Sequence, residues 1–187
     1  MRHLILLPFF LFALNGFSQQ KEKKQNTVDL TKVTILDPGI AHEFSVGRDQ
    51  TVFARIGVTG TFDNNDPYGG VTLGKILFRT FAAGSFRAYY NFEKRQLKEK
   101  KTDKNSANYF AFLTIVYSKP FDRPKYDMRL NTPILDAGLV WGLQRNFSSR
   151  FSIDFNIGGG YERFDSEGRF VFIGEFNIGF WLGKKKK

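Results

Sequence analysis

From residue 134 to residue 183 the chain alternates apolar and polar side chains with a period of two. Phe151, Ile153, Phe155, Ile157, Gly159 and Tyr161 fall on one parity, and Ser152, Asp154, Asn156, Gly158, Gly160 and Glu162 on the other. Successive side chains of a strand point to opposite sides, so this period describes a strand with one greasy and one polar face. Phe170, Phe172, Gly174, Phe176, Ile178, Phe180 and Leu182 repeat it against Glu175, Asn177 and Gly179, with Val171, Ile173 and Trp181 as exceptions. Leu135, Ala137, Leu139, Trp141 and Leu143 oppose Asp136, Gly138, Gly142 and Gln144. Each stretch is about ten residues or longer, the length at which a tilted strand crosses a bilayer. The pattern predicts an all-β fold, an antiparallel closed transmembrane β-barrel.

The same alternation recurs upstream. Val52, Ala54, Ile56, Val58 and Phe62 face away from Thr51, Arg55, Gly57, Thr59 and Thr61. Phe86, Ala88, Tyr90 and Phe92 face away from Ser85, Arg87, Tyr89, Asn91 and Glu93. Residues 109–117 form a strand that is apolar on both sides; Tyr109, Ala111, Leu113, Ile115 and Tyr117 are expected towards lipid, with Phe110, Phe112, Thr114 and Val116 behind them. Turn residues punctuate the run at 47–50, 63–70, 119–133, 147–150 and 165–169, where Gly168 is available for positive φ. Seven strands are clear. An eighth comes from residues 71–81, which also fit a short helix, or from a division of residues 30–46 at Pro38, since Pro has no ladder N–H. Eight is the expected count.

Around this core, composition narrows the class. The chain of 187 residues holds 22 Phe, 18 Gly and no Cys, so closure of the sheet rather than disulfides must supply stability, and thiolate metal sites are excluded. Arg2 and His3, the apolar run 4–13 and small residues Gly16 and Ser18 read as a secretory signal. The expected order is a signal peptide over 1–18, a flexible lead-in over 19–29, the barrel over 30–183 and a basic tail over 184–187.

A bilayer has no water for backbone groups, so strands there must close on themselves. About eight strands leave an interior just wide enough for side chains to fill. The interior polar network is expected to comprise Glu43, Arg55, Arg87, Glu93, Asp136, Asp154 and Glu175, with Asn91, Thr114, Asn156 and Asn177, and Arg55 and Arg87 bridging carboxylates on neighbouring strands. Both signs are present, so neutralisation is available. Phe151, Phe155, Phe172, Phe176 and Phe180 are expected to face lipid, and Tyr89, Tyr90, Tyr109, Tyr117, Trp141, Tyr161 and Trp181 to form aromatic girdles. Inward glycines at 57, 138, 142, 158 and 179 would make room for long side chains.

Catalytic chemistry finds little support. The acids are dispersed over the strands, and there is no nucleophile elbow, phosphate loop or zinc motif. No cofactor or metal is expected, and no enzyme activity. The net charge of +10 concentrates at Lys94, Arg95, Lys98, Lys100, Lys101 and Lys104 and in the last four lysines. A loop touching anionic head groups accounts for it better than nucleic acid does, given the export signal.

The stretch Phe86-Arg87-Ala88-Tyr89-Tyr90-Asn91-Phe92-Glu93-Lys94-Arg95, followed by Asn105-Ser106-Ala107-Asn108-Tyr109, resembles small outer-membrane barrels of Bacteroidota-type bacteria, as does a leader ending Phe17-Ser18-Gln19-Gln20. The resemblance implies an outer-membrane location and an eight-stranded barrel similar to the OmpA-type transmembrane domain. It implies no catalytic residue. Chains of this kind often end on an aromatic that signals to the barrel-assembly machinery; this one runs Phe180-Trp181-Leu182-Gly183 into four lysines. The expectation is a monomeric envelope-maintenance barrel with a filled interior. Its partners would be outer-membrane lipids, lipopolysaccharide-type head groups and, during biogenesis, the assembly machinery. Two alternatives are a narrow small-solute or lipid passage and a soluble exported barrel. The latter would point Phe170, Phe172, Phe176 and Phe180 inward around an apolar ligand.

Overall fold

The computed structural model describes residues 25–63, 75–122, 131–147, 150–165 and 167–183. The expected signal peptide and lysine tail lie outside them. Eight strands run in chain order: β1 Leu30–Thr34, β2 Gly39–Gly47, β3 Gln50–Asp63, β4 Lys75–Tyr89, β5 Asn108–Tyr117, β6 Ile134–Asn146, β7 Phe151–Phe164 and β8 Glu167–Leu182. Each pairs antiparallel with the next, and β8 pairs with β1, so the sheet closes into a ring. A short helix, α1 Phe92–Gln96, and a 3-10 turn, Asp103–Asn105, lie between β4 and β5.

The eighth strand comes from the division at Pro38. The chain turns between Thr34 and Gly39, and the Thr34 hydroxyl donates to the Asp37 carbonyl at 2.6 Å. Residues 75–81 are not helical; they continue into 82–89 as one long strand. Residues 71–74 lie outside the described residues. In the β7–β8 turn the left-handed position is Asp165 (φ 50), and Gly168 sits within β8. Asp tolerates that conformation because its short side chain bonds locally.

Closure gives every strand an inward and an outward parity. On β4 the inward set is Leu77, Arg79, Phe81, Ala83, Ser85, Arg87 and Tyr89, all buried. On β5 the assignment expected from sequence is inverted. Tyr109, Ala111, Leu113 and Ile115 are buried inside, and Phe110, Phe112 and Val116 are exposed outside. The inner residues join Phe81, Ala83, Val140 and Ile173 in an apolar cluster. Both faces of β5 are apolar, so the sequence alone held no signal of which pointed in.

The seam between β1 and β8 is short, from Thr31↔Leu182 to Thr34↔Gly179. The β4–β5 connection folds over the end of the ring at which β1 begins. Phe92, Asn105, Ser106 and Ala107 are buried there. Asn105 clasps the backbone of Val28, accepting from its N–H and donating to its carbonyl, both at 2.8 Å. The last residues of the lead-in are tied down as well. Asn26 donates to Asp49 at 2.7 Å, and Asp29 accepts from the Ser45 N–H at 2.8 Å.

Candidate functional site

The polar groups inside the ring meet across it. Glu43 on β2 is wholly buried (0% exposed). Its Oε1 accepts from the Thr51 hydroxyl at 2.7 Å and the Tyr89 hydroxyl at 2.5 Å. Its Oε2 accepts from Gln144 on β6, diametrically opposite in the ring, at 3.0 Å. Arg87 on β4 donates to Asp154 on β7 at 2.7 Å and to Gln144 at 2.9 Å. The Tyr109 hydroxyl completes Asp154 at 2.7 Å. Lys32 Nζ stands 3.8 Å from Glu43 and 3.9 Å from Asp154. Two carboxylates thus share two cations, and each carboxylate oxygen has a partner. The carboxylates and Arg87 meet the condition under which buried ions are tolerated, whereas the Lys32 ammonium is buried with charge partners but no hydrogen bond.

Packing positions the cations. The Arg87 guanidinium lies 3.8 Å from the Phe53 ring centroid and 4.5 Å from that of Tyr109, a stacked arrangement that suits its planar charge. Tyr109 can lie there because position 142 is glycine; a Cβ on it would overlap the Tyr109 ring. This is the space-making role expected of the inward glycines.

A second cluster lies deeper along the axis. Arg55 on β3 donates to Glu175 on β8 at 2.5 Å and also to Asn177, while Asn156 donates to the other Glu175 oxygen at 2.8 Å. The Arg55 guanidinium covers Phe81 at 4.6 Å. Both arginines therefore reach across the ring rather than to neighbouring strands. An eight-stranded interior is narrow enough for one Arg side chain to span it. Between the clusters, Lys32, Arg55, Asp154, Asn177 and Ser152 border a cavity of about 10 Å³, about the room one water needs.

The remaining expected residues divide. Asp136 faces inward, half-buried, opposite Glu162, which takes Arg169 at 2.6 Å. Glu93 is not interior. The strand ends at Tyr89, and Glu93 lies on α1, its side chain 73% exposed and paired with Arg48 at 2.8 Å. Asn91 has likewise left the strand, and its Oδ1 accepts from the Asn108 N–H at 2.8 Å. Thr114 takes the outward parity of β5. Among the girdle candidates, Tyr89, Tyr109 and Trp181 are buried inside and Tyr117 shares their inward parity, whereas Tyr90, Trp141 and Tyr161 lie outside. Trp181 plugs one end: its indole donates to the Phe147 carbonyl at 3.0 Å, with Lys104 Nζ 4.3 Å from its ring centroid.

Sequence reasoning missed Lys32, Thr51, Tyr89, Tyr109 and Gln144 as members of the first cluster. Gln144 carried a usable signal, since it shares parity with Asp136. Lys32 carried none, because a five-residue strand reading Leu-Thr-Lys-Val-Thr shows no alternation.

The outer face is mostly apolar, with Thr31 and His42 bonded to each other at 2.8 Å among its few polar side chains. Outward positions of the described strands carry no Asp, Glu or Lys, and only two Arg, Arg145 and Arg163, both close to strand ends. Phe170 (90% exposed), Phe172 (75%), Phe176 (50%) and Phe180 (45%) all point outward, so they line no internal ligand cavity. Phe151 and Phe155 share that outward face, half-buried. No family model, curated protein or solved structure matches the chain.

Proposed function

We propose that the protein is a non-enzymatic outer-membrane β-barrel with a filled polar interior and a structural, envelope-maintaining role. The observation that carries this reading is the outer face: a belt of Phe, Ile, Leu and Val around the ring whose two charges stand near its rims. Soluble monomers rarely expose a continuous apolar surface of that extent. Lipid is the solvent that suits it, and a closed sheet leaves no backbone group unpaired there. The leader and the likeness to small Bacteroidota-type barrels support the outer membrane as the location.

The interior argues for a wall component rather than a conduit. Glu43 and Asp154 are engaged at every oxygen and enclosed by Arg87, Lys32, Gln144 and two tyrosines. Such acids are poor candidates for proton transfer to a substrate, which needs a reacting atom within hydrogen-bond reach. A cavity sized for one water does not pass a solute.

The test has two parts. The outer-membrane fraction of expressing cells should contain the protein as a band whose gel mobility shifts on boiling. Purified protein in a planar bilayer should then give no steady conductance. Recovery in the soluble pool would overturn the membrane reading, and reproducible single-channel steps would overturn the filled-wall reading in favour of a passage.

A further inference from the structure

Where β4 ends, the outer face carries a compact group of aromatic and cationic side chains. The Trp141 indole donates to the Tyr90 hydroxyl at 2.9 Å, and the Tyr90 ring lies 5.3 Å from that of Phe110. Arg145, one of the two outward-facing arginines, is held there by the Asn108 side chain at 2.6 Å and the Gln144 carbonyl at 2.7 Å. The chain leaves the belt at Tyr90 and enters a connection, residues 92–105, bearing six cations against three acids. One of those acids, Glu93, is already paired with Arg48.

The electrostatics at this rim are unbalanced. Lys94 and Arg95 on α1 and Arg145 at the end of β6 put three cations on this side of the connection. Among the described residues no carboxylate lies within ion-pair distance of Lys94, Arg95 or Arg145. The Tyr90 phenol is held below its ordinary value by the Trp141 and Asn108 hydrogen bonds, with Arg145 and Lys94 adding to the effect. An aromatic pair at the edge of an apolar belt, with cations just beyond it and no acid to answer them, matches the layered chemistry of a bilayer interface.

The geometry points to a lipid site: Lys94, Arg145 and the Tyr90 hydroxyl bind the phosphate of an anionic glycerophospholipid, whose acyl chains lie on Trp141, Phe110 and the adjoining belt. This rests on the membrane reading above. Continuity with the belt selects a membrane lipid over a soluble polyanion, because Trp141 and Tyr90 face outward in the same row as the lipid-compatible residues.

The two tryptophans supply the assay, since Trp141 is on the outside and Trp181 is buried within the ring. Full-length protein is reconstituted into phosphatidylcholine vesicles containing one-third phosphatidylglycerol, with bromine on the acyl chains of one lipid or the other. Brominated phosphatidylglycerol is expected to quench Trp141 with an apparent preference of roughly five-fold over brominated phosphatidylcholine. The double substitution Lys94→Gln with Arg145→Gln should bring that preference close to one, while the boiling-dependent gel shift stays intact. Lys100→Gln with Lys101→Gln removes the same charge elsewhere on the connection and should leave the preference within about two-fold of the starting protein. Equal quenching by both lipids, or an equal loss in the two double variants, overturns the site while leaving the membrane barrel standing. No quenching by either lipid overturns the membrane reading itself.

Discussion

Strand β7 separates its two faces by chemistry, and β5, two strands away in the ring, does not. Inside the ring β7 shows Ser152, Asp154, Asn156 and Glu162; outside it shows Phe151, Ile153, Phe155 and Ile157. Strand β5 is apolar on both sides, with Leu113 and Ile115 inside and Phe110 and Phe112 outside. The difference teaches that the interior has two regimes. Where Glu43, Asp154, Lys32 and Arg87 converge, it is an ion cluster. Against β5 it is an ordinary packed core of Phe81, Ala83, Val140 and Ile173. Tyr109 joins the two, its ring in the core and its hydroxyl on Asp154. The outer face is mostly apolar on both strands, Phe110 and Phe112 on β5 matching Phe151 and Phe155 on β7.

Four substitutions break or sharpen that contrast. Arg87→Leu attacks the ionic side. It removes the close cation from buried Asp154 and should cost about 3–5 kcal/mol in urea unfolding of the detergent-folded protein; a loss near zero would mean the cluster is hydrated and not buried. Leu113→Ala attacks the packed side and should cost about 2–5 kcal/mol by the same measurement, depending on how far the site collapses. Were Leu113 lipid-facing instead, the loss would be much smaller. Phe176→Arg, on the outer face of β8 opposite Phe155, should cost about 2–4 kcal/mol near midplane when folding into lipid vesicles is followed. Normal folding would argue that this face meets water. Phe112→Leu, one residue from Leu113 but exposed on the outer face, should stay within about 0.5 kcal/mol, since no packed protein surrounds it to leave a cavity. A large effect would place Phe112 against protein.

The same contrast explains what could be read without coordinates. Strands β7 and β8 were legible because a polar interior and an apolar exterior write opposite residues onto alternate positions. Glu43, Arg55, Arg87, Asp154 and Glu175 were placed inside on parity alone, and all five lie there. Parity is silent for β5, where both surroundings want apolar side chains, and the set expected outside, Tyr109, Ala111, Leu113 and Ile115, lies inside. It misleads at Glu93, because alternation continues for a few residues after the strand has stopped; Tyr89 is the last ladder position, and Phe92 turns in to pack its ring, tilted, against it at 5.3 Å. It also could not tell which strands would supply partners. Arg55 finds Glu175 on β8, and Arg87 finds Asp154 on β7, at sequence separations of 120 and 67 residues. Those meetings are set by the closure of the ring, which no local pattern encodes.

The short seam between β1 and β8 makes the ring a clasp more than a weld. Every other ladder joins strands consecutive in the chain, and each can zip from its own turn at small entropic cost. The seam alone must bring the first strand to the last, and it does so from Thr31↔Leu182 to Thr34↔Gly179 only, whereas β7 and β8 stay paired from Phe151↔Phe180 to Phe164↔Glu167. The cheapest way in, for a chain assembling the ring, is therefore also the cheapest way out. Asn105, gripping Val28 from the β4–β5 connection, acts as the safety catch: it ties the chain two residues before β1 to its middle, so the clasp is held from a side on which it has no ladder.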